Sequence, residues 1–548
     1  MHAGLRRKWP LFPGLLFLAG LGVLPAAATL AAPPVPEPPT PGAIGDTLKQ
    51  PPQLQPPAAA PIATPQSRAP TGAAQGPTLV VSSFVFSGNT VFSGEQLAPL
   101  VAGYLNRPIS LGQLYEAADK VAEFYASRGY ALASVNLPAQ KVKDGVVRLE
   151  VIEGRIGRIG FDGNHTYSSA LLGRFVTETQ PQQVYRTAPL EQDLQTLNAL
   201  PGLAARAVIR PGASYGTSDL TVKVEETPLS GYVVLDNYGR KDSGEYRVSA
   251  DVTLNNPFRI GDQVQVLGTH ADNNMLNYGY IDYNLPLVWG LRADLNYGRA
   301  YFRVTSFDTT GYNNNYQFTL SKPWLRTSVD TFSTSAGFIH TEANADLAGF
   351  ALSNTNVNLL NLGLSYAHTW LDGAVTQYIA SIHSNFSPPS DNRPNGEPFR
   401  FEINAQHLQP LPARLQILLQ VDAVVSPDPL PDTEQLSIGG PSSIRGFPTS
   451  EARGDRGYYG QLSLRRPYTF GRLAFVPRIY WDTGEVTQLT LIEGQPNNSQ
   501  SLSSAGVGAD WIYRTFDLKV DWSYPFDGKP VSDGRDSGRV YAALTAGF

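Results

Sequence analysis

The 548-residue chain is long enough for several domains, and its composition excludes some classes of protein at once. It has no cysteine, which excludes disulfides, thiolate metal sites and cysteine nucleophiles. Charged residues make up 16% and the formal net charge is -5, so nothing favours nucleic acid as a partner. The 26 Tyr and 24 Phe beside only 2 Met are typical of a membrane barrel with a polar interior, rather than of a helical membrane protein.

The start of the chain predicts an export signal. A positively charged start (residues 6–8) precedes a short apolar stretch (residues 11–24) and three alanines (residues 26–28) that suit cleavage. The apolar stretch is short and interrupted by Pro and Gly, so a membrane anchor is the weaker alternative. We expect residues 1–28 to be a signal peptide and the mature chain to be exported without a transmembrane helix.

Residues 29–78 are rich in Pro, Ala and Gln and contain few large apolar side chains, which predicts an extended, disordered segment. Residues 42–50 within it could form two turns of helix. Such a short helix is marginal by itself.

A repeat follows. The motif at residues 86–90, with Gly88 and Asn89, returns about 75 residues later with Gly163 and Asn164. Each copy begins with a β-rich run, turns at Gly-Asn, continues as two helical stretches and ends in two strands. The sequence therefore predicts two α+β modules.

We place the first module at residues 79–154 and the second at residues 155–228. In the first copy, Ser93 and Ser110 each precede a Gln by three residues, which predicts capping boxes at the starts of its two helices.

The remaining residues, 229–548, contain sixteen stretches in which apolar and polar side chains alternate. They begin near Gly231, Tyr246, Gln263, Tyr278, Arg292, Tyr316, Thr331, Asn358, Val375, Phe399, Arg414, Tyr458, Leu473, Gly506, Phe516 and Arg539. A period of two with one apolar and one charged face fits a wall between lipid and a wet interior. Because an open sheet edge is not tolerated in lipid, the sheet must close. We predict a transmembrane antiparallel β-barrel of about 16 strands.

Strand parity places one carboxylate inside this barrel. Asp482 shares a strand face with Arg478 and Tyr480, opposite Ile479 and Trp481. A charge on the lipid face near the midplane would cost about 2–4 kcal/mol. Asp482 is therefore predicted to face the interior.

The longest stretch without alternation in this half is the run at residues 439–460, in a loop at about residues 426–457. If the amino terminus is periplasmic, this is the sixth external loop. A loop that folds back into the barrel would bring Arg445 to the inward carboxylate, and a bidentate pair suits that geometry. Gly446 would allow a close approach to the wall, and Phe447 could pack against it. The alternative is a solvated loop arginine without a partner.

The chain ends at Phe548, preceded by a strand whose alternate residues are apolar. This ending resembles the outer-membrane recognition signal of bacterial barrel proteins, which implies insertion by the barrel assembly machinery.

The first module resembles a POTRA domain, and the second is a looser match around Gly163 and Asn164. Besides Gly88 and Asn89, the motif residues of this resemblance are Gly129, Tyr130, Pro138 and Gln140, with Val-Ile-Glu-Gly at residues 151–154. The resemblance implies periplasmic modules that receive unfolded chains by strand addition.

The loop motif Arg445-Gly446-Phe447 and the strand motif Asp482-Thr483-Gly484 resemble those of two-partner secretion transporters. The superfamily also contains outer-membrane and chloroplast assembly factors. The resemblance implies a Gram-negative outer-membrane protein, surrounded by lipid, that exports a large unfolded exoprotein of adhesin or haemolysin type. It also implies that the arginine and the aspartate pair and are needed for transport. Many members begin with a helix that plugs the barrel, and the weak helix at residues 42–50 departs from that pattern.

Two other functions remain open as alternatives: an assembly factor of the same superfamily, and a diffusion porin. We expect no enzyme, cofactor or metal. The serine pattern at residues 212–216 fits a hairpin better than a nucleophile elbow, and Arg453-Gly454-Asp455 fits turn chemistry better than an adhesion motif. The 7 histidines show no metal-ligand spacing, and no phosphate-binding loop is found.

Overall fold

The computed structural model describes residues 40, 48, 62–63, 78–304, 308–385, 399–490, 495–535 and 537–548. The predicted signal peptide lies outside these residues, as do most of residues 29–78 and, except for Leu48, the predicted helix at 42–50. In the described part of the chain, no helix is both long and apolar enough to cross a membrane.

The first module packs two helices against a small mixed sheet, after a short strand, β1 (Ile62–Ala63). Its elements in chain order are β2 (Leu79–Val80), β3 (Ser83–Ser87), α1 (Gly94–Val101), β4 (Pro108–Ile109), α2 (Leu111–Ser127), β5 (Ser134–Asn136) and β6 (Val146–Ile152). The main sheet has the order β3-β6-β5, and β2 pairs with β4. Both helices start with the predicted capping boxes, at Ser93 and Ser110.

The second module repeats this arrangement. Its elements are β7 (Arg155–Asp162), α3 (Ser169–Gly173), α4 (Thr187–Asn198), β8 (Leu203–Pro211) and β9 (Thr217–Glu226). The sheet order is β1-β8-β9-β7, so β1 adds a parallel edge strand from the preceding segment. Residues 212–216 connect β8 to β9 as a hairpin, as predicted.

The repeated Gly-Asn motif has the same physical cause in both modules. Gly88 and Gly163 have φ of 81° and 90°, a region that favours glycine. A Cβ at either position would lie 2.3 or 2.4 Å from a carbonyl oxygen of the module's last strand. The side-chain amides of Asn89 and Asn164 then each donate to the carbonyl oxygen three residues later.

A carboxylate closes each of these turns. Glu226, at the end of β9, accepts hydrogen bonds from the backbone N–H groups of His165, Thr166 and Tyr167 at 3.0, 2.7 and 3.1 Å. Glu153 accepts in the same way from Thr90 and Val91 in the first module. These contacts of each glutamate with the turn, which we call a clasp, join the first turn of each module to the end of its last strand.

The other POTRA-type motif residues connect strands and modules. The backbone N–H of Thr187, at the start of α4, donates to the Gly129 carbonyl oxygen at 2.9 Å, and the Arg186 guanidinium lies 5.9 Å from the Tyr130 ring centre. The Gln140 amide bonds both the N–H and the carbonyl oxygen of Arg148, and also the carbonyl oxygen of Pro138.

The rest of the chain forms a closed antiparallel barrel. Its strands and those of its longest loop are β10 (Leu229–Asp236), β11 (Arg247–Asn255), β12 (Gln263–Ala271), β13 (Leu276–Pro286), β14 (Arg292–Val304), β15 (Thr309–Arg326), β16 (Asp330–Leu347), β17 (Phe350–Thr369), β18 (Val375–Asn385), β19 (Phe399–Pro410), β20 (Gln416–Val425), β21 (Leu436–Ile438), β22 (Ala452–Gly454), β23 (Arg456–Arg465), β24 (Tyr468–Phe470), β25 (Leu473–Gln488), β26 (Asn498–Tyr513), β27 (Phe516–Asp527) and β28 (Arg539–Gly547). All except β21 and β22 belong to the wall, and β28 closes it against β10.

The described residues confirm the predicted 16-strand barrel, because β23 and β24 both pair with β25 and share one position in the wall. Three strands begin well before the predicted positions, at Thr309, Phe350 and Asn498. At the end of the barrel away from the modules, called the outer end, these strands carry polar residues such as Asn354 and Asn356 on the outward face. The strands are still hydrogen-bonded to their neighbours there, although polarity no longer alternates along them.

One end of the barrel rests on the second module. Arg292 donates to the carbonyl oxygen of Ala199 at 3.0 Å, and Asn255 donates to that of Thr227 at 2.8 Å. The outward face of the wall is apolar and aromatic, as parity predicts, with exposed Leu254, Ile281, Leu362, Ile479, Trp481, Val507 and Trp522. Phe548 is 63% exposed on the same face and exchanges two backbone hydrogen bonds with Gly231.

The clasp in the second module gives the first prediction. Glu226→Gln removes the charge and one acceptor from three backbone donors, at a cost of about 1–3 kcal/mol. We expect faster amide exchange at residues 165–167 in the full-length protein, measured by hydrogen exchange with mass spectrometry. The neighbouring Glu225→Gln is the control because Glu225 is exposed. Equal exchange in both variants would contradict the clasp.

The same comparison has a predicted pH dependence. Burial raises the pKa of Glu226, but hydrogen bonds from Thr166, Tyr167 and His165 outweigh it and hold the pKa below its ordinary value of 4.5. A lowered folded-state pKa means that the stabilisation is present above the ordinary value and lost as the pH falls through the lowered one. Wild type and Glu226→Gln should therefore converge at low pH.

Candidate functional site

The candidate site is the loop between β20 and β23, residues 426–455, which folds back into the barrel. Strands β21 and β22 pair over three residues each and form a hairpin at its base. The sequence does not predict strands here, because three residues are too few to show a period. Beyond the hairpin, residues 439–451 form the tip, whose backbone is closed by bonds from the Gly440 N–H to the carbonyl oxygens of Ile444 and Phe447, both at 3.1 Å.

At the tip, Arg445 contacts Asp482 of β25 through three hydrogen bonds. Its Nε donates to Oδ2 at 2.8 Å, its Nη2 to Oδ1 at 2.6 Å, and its backbone N–H to Oδ2 at 3.1 Å. Arg445 is 5% exposed and Asp482 is 0% exposed. The two side chains thus form a bidentate ion pair shielded from solvent, the geometry in which such pairs are strongest.

Two further groups hold the guanidinium. Its central carbon lies 3.4 Å from the centre of the Tyr480 ring, which is a cation–π contact. Asp521 lies 4.0 Å from Nη1 and also binds Arg478 at 2.7 Å. The arginine is therefore placed by an aromatic face as well as by charge, and a lysine could not reproduce both contacts.

The next two residues fit tightly against the wall. A Cβ at Gly446 would lie 2.5 Å from the Ser504 Cβ, and the Gly446 N–H donates to the Ser504 Oγ at 3.1 Å. Phe447 is fully buried, and its carbonyl oxygen accepts a hydrogen bond from the Tyr541 hydroxyl at 2.7 Å. The closeness of the Gly446 backbone to the wall explains why a larger residue would displace the tip.

The tip thus contacts five wall strands that are consecutive in the barrel apart from the short β24. The contact residues are Gln461 of β23, Asp482 of β25, Ser504 of β26, Asp521 of β27 and Tyr541 of β28. Each of them presents a polar group to the interior, as strand parity requires. Sequence reasoning identified Asp482 alone; the shared face with Tyr480 could have indicated the stacking residue too.

A small hydrophobic core supports the loop. Its buried members come from the loop and from the inner wall: Val424, Leu430, Leu436, Ile438, Ile444, Phe447, Ala452, Tyr459, Val486 and Leu502. This core makes the loop a packed element and not a solvated segment.

Two carboxylates and an arginine near the outer end of the barrel hold further parts of the loop. Asp455 accepts from the Leu430 and Leu489 N–H groups at 2.7 and 2.6 Å. Glu451 accepts from the Ser532 hydroxyl at 2.6 Å, and Arg240 donates to the Thr449 carbonyl oxygen at 3.0 Å. These contacts join the loop to segments up to about two hundred residues away in sequence, so no local pattern could reveal them.

The part of the loop that precedes β21 reaches the opposite wall. Glu434 lies 3.5 Å from Arg400 of β19 and 3.8 Å from His383 of β18, and the Thr355 hydroxyl of β17 donates to Asp432 at 3.4 Å. The loop therefore spans the interior from β17–β19 to β23–β28.

The remaining predicted residues lie close by. Gly484 follows Asp482 on the same face, where a Cβ would lie 2.6 Å from the Tyr458 carbonyl oxygen.

Two described residues of the amino-terminal segment also contact the barrel: Thr40 accepts a hydrogen bond from Arg453, and Leu48 packs near Phe302 on the inner wall. Across the described residues, no cluster of three or more metal-ligating side chains is present.

The arrangement can act as a releasable lock. Removing one partner of a buried ion pair leaves an uncompensated charge, at a cost of about 3–5 kcal/mol. The tip therefore has a well-defined position inside the barrel. Leaving that position requires new partners for both charges.

The comparisons with known proteins agree with this fold. The model of the family described as "Haemolysin secretion/activation protein ShlB/FhaC/HecB" matches residues 216–511, more than half of the 548-residue chain, and "POTRA domain, ShlB-type" matches residues 79–154. The chain belongs to this haemolysin secretion/activation family. It is an outer-membrane β-barrel transporter of the two-partner secretion type, with its POTRA modules in the periplasm.

Individual relatives match most of this chain and most of their own length. The heme/hemopexin transporter protein HuxB of Haemophilus influenzae (strain 86-028NP) is 22% identical, with 83% of this chain and 84% of the relative covered. The hemolysin transporter protein ShlB of Serratia marcescens is 26% identical, with 81% of each chain covered. The solved structure of CdiB from Escherichia coli has a TM-score of 0.69 at 24% identity and covers 89% of this chain and 94% of its own. This last likeness concerns the fold.

The second prediction separates charge from geometry at the tip. Arg445→Lys keeps the charge but loses the bidentate fork and the contact with the Tyr480 ring. We expect the free energy that holds the tip in its position to fall by about 1.5–3 kcal/mol. Single-channel recording of the purified protein in planar bilayers should then show at least about tenfold more time in high-conductance states.

The matched control is Arg456→Lys, at the start of β23 and exposed. It should leave the currents unchanged. Wild-type currents from Arg445→Lys would show that the guanidinium geometry does not hold the loop.

Proposed function

We propose that the protein binds an unfolded exoprotein in the periplasm and exports it through the barrel, and that the Arg445–Asp482 pair holds the loop and the barrel in the transport-competent arrangement from which export begins. The observation that carries this proposal is the loop that spans the interior and is fixed at its tip by a buried ion pair. A barrel closed in this way must rearrange before a polypeptide passes.

The two modules supply the receiving surface in this proposal. Strands β3 and β5 are the edges of the first module's sheet, and edge strands can accept a further strand from an unfolded chain. The contacts of Gly129 and Tyr130 with the start of α4 support a fixed orientation of one module on the other. A bound chain would then be presented to the barrel by modules that move together.

The cargo is proposed to be a large secreted protein of the adhesin or haemolysin type. The name of the Serratia marcescens relative, a hemolysin transporter, supports this class. Transport is proposed to proceed without catalysis or cofactor. Its driving force would come from binding in the periplasm and from folding outside, since neither event reverses readily. The terminal strand and Phe548 are proposed as the signal read by the barrel assembly machinery.

The third prediction tests the lock in secretion. Arg445→Ala leaves Asp482 buried and uncompensated, a cost of about 3–5 kcal/mol that favours loss of the tip position. We expect secretion of the exoprotein cargo to be abolished while the variant still reaches the outer membrane. Secreted cargo is measured in the medium and the barrel in isolated outer membranes.

Arg456→Ala serves as the matched control and should secrete normally. Undiminished secretion by Arg445→Ala would overturn the proposed role of the pair. Depletion of other outer-membrane barrels in a strain lacking the transporter would favour an assembly factor, and a wide, permanently open channel in the wild type would favour a porin.

A further inference from the structure

The outward face of the wall has a groove between β11 and β14. Four residues lie side by side across these strands: Ala250 pairs with Gly268, Gly268 with Gly279, and Gly279 with Arg299. A Cβ added at Gly268 or Gly279 would meet nothing within 4 Å. A groove of about 560 Å³ therefore opens where an outer-membrane wall usually presents bulky side chains.

The two sides of this groove differ in polarity. The row nearer the outer end of the barrel contains His270, Asn277 and Tyr301, and His270 Nδ1 hydrogen-bonds the Asn277 Oδ1 at 2.8 Å. The row on the inner side is apolar, with Val266 and Ile281. A molecule seated here would have its polar part toward the outside of the cell and its apolar part toward the membrane centre.

The groove carries positive charge. Arg299 borders it and Arg303 follows on the same face of β14, and both are exposed. Among the described residues, neither forms an ion pair within 4 Å. The acidic Glu342, on the outward face of β16, is bonded to His340 instead. The groove therefore offers guanidinium groups to an anion.

Tyrosines define the depth of these arginines in the membrane. Tyr301, Tyr312 and Tyr316 are exposed on the same part of the wall, and the Arg299 guanidinium lies 6.0 Å from the Tyr312 ring centre. Such aromatic bands mark the interface between hydrocarbon and headgroups. An arginine costs about 2–4 kcal/mol at the midplane but about 0–1 kcal/mol near that interface. Because β14 runs from the module end to the outer end, this interface belongs to the outer leaflet.

We propose that this groove binds the phosphorylated glucosamine headgroup of lipid A, the membrane anchor of lipopolysaccharide. A phosphate accepts hydrogen bonds from the Arg299 guanidinium, with His270 in the adjacent row of the same groove and Arg303 farther along β14 toward the outer end. The flat surface over Gly268 and Gly279 accommodates the sugar and the first methylenes of the acyl chains. Lipid A is the phosphate-bearing lipid of the outer leaflet in Gram-negative outer membranes, and the charge, depth and polarity of the groove match that molecule.

The test uses the full-length protein and purified lipids. Binding of lipid A to the detergent-solubilised protein is titrated by native mass spectrometry, with monophosphoryl lipid A and phosphatidylglycerol as comparison lipids. Arg299→Gln removes the guanidinium, and Gly279→Leu fills the groove with a side chain that meets open space. Each variant is expected to lower the affinity for lipid A about tenfold or more. Monophosphoryl lipid A should bind more weakly than lipid A.

The matched control is Lys322→Gln, another cation on the outward face but near the module end of β15, beside Trp324. It should leave lipid A binding unchanged. Migration of unheated samples as compact barrels verifies that every variant is folded. Wild-type affinity in both groove variants would overturn the proposal, and so would binding of phosphatidylglycerol as tight as that of lipid A. Because no cargo is present, these outcomes are independent of the secretion experiment.

Discussion

The interior of this transporter depends on one constraint, which is that a buried charge needs a partner. Asp482 is placed inside the wall by the parity of β25, and the packed loop tip leaves it without solvent. Arg445 is the group that neutralises it, and the loop is long enough to reach across the interior. The position of the tip, the burial of Phe447 and the contacts with Ser504 and Tyr541 all follow from that pair being made.

The ion pair specifies position more than it adds stability. A well-packed apolar pair can be as stable as a buried ion pair, but it would tolerate a shifted tip. The bidentate geometry and the Tyr480 ring allow one orientation of the guanidinium, and the Gly446 backbone allows one distance from β26. A loop held in this way has one defined position in the barrel interior, and a displaced tip would lose the ion pair, the ring contact and the Gly446 hydrogen bond together.

Periodicity explains how much of this could be predicted from the sequence. The sixteen strands and the inward side of Asp482 follow from alternation alone, because a barrel in lipid has different solvents on its two faces. The Gly-Asn turns follow from their repetition. The clasps of Glu153 and Glu226 also occupy equivalent positions in the two modules, so comparison of the two copies could have revealed them. In contrast, the contacts of Arg240 with Thr449 and of Glu434 with Arg400 depend on closure of the whole barrel, and the strands of the loop hairpin are too short to show a period.

The places where alternation fails are therefore the informative ones. Along the whole of β27, and in β25 from Leu473 to Trp481, the outward positions are apolar or aromatic, as lipid requires. The loop breaks the pattern because it packs against a polar interior and not against lipid. Gly268, Gly279 and Arg299 interrupt the row of large apolar side chains on the outward face. The two glycines have no side chain to present to lipid, and the arginine carries a charge. Local departures from a strong pattern need a compensating gain. In the loop that gain is the ion pair with Asp482, and on the outer wall a bound phosphate would provide the equivalent compensation for Arg299.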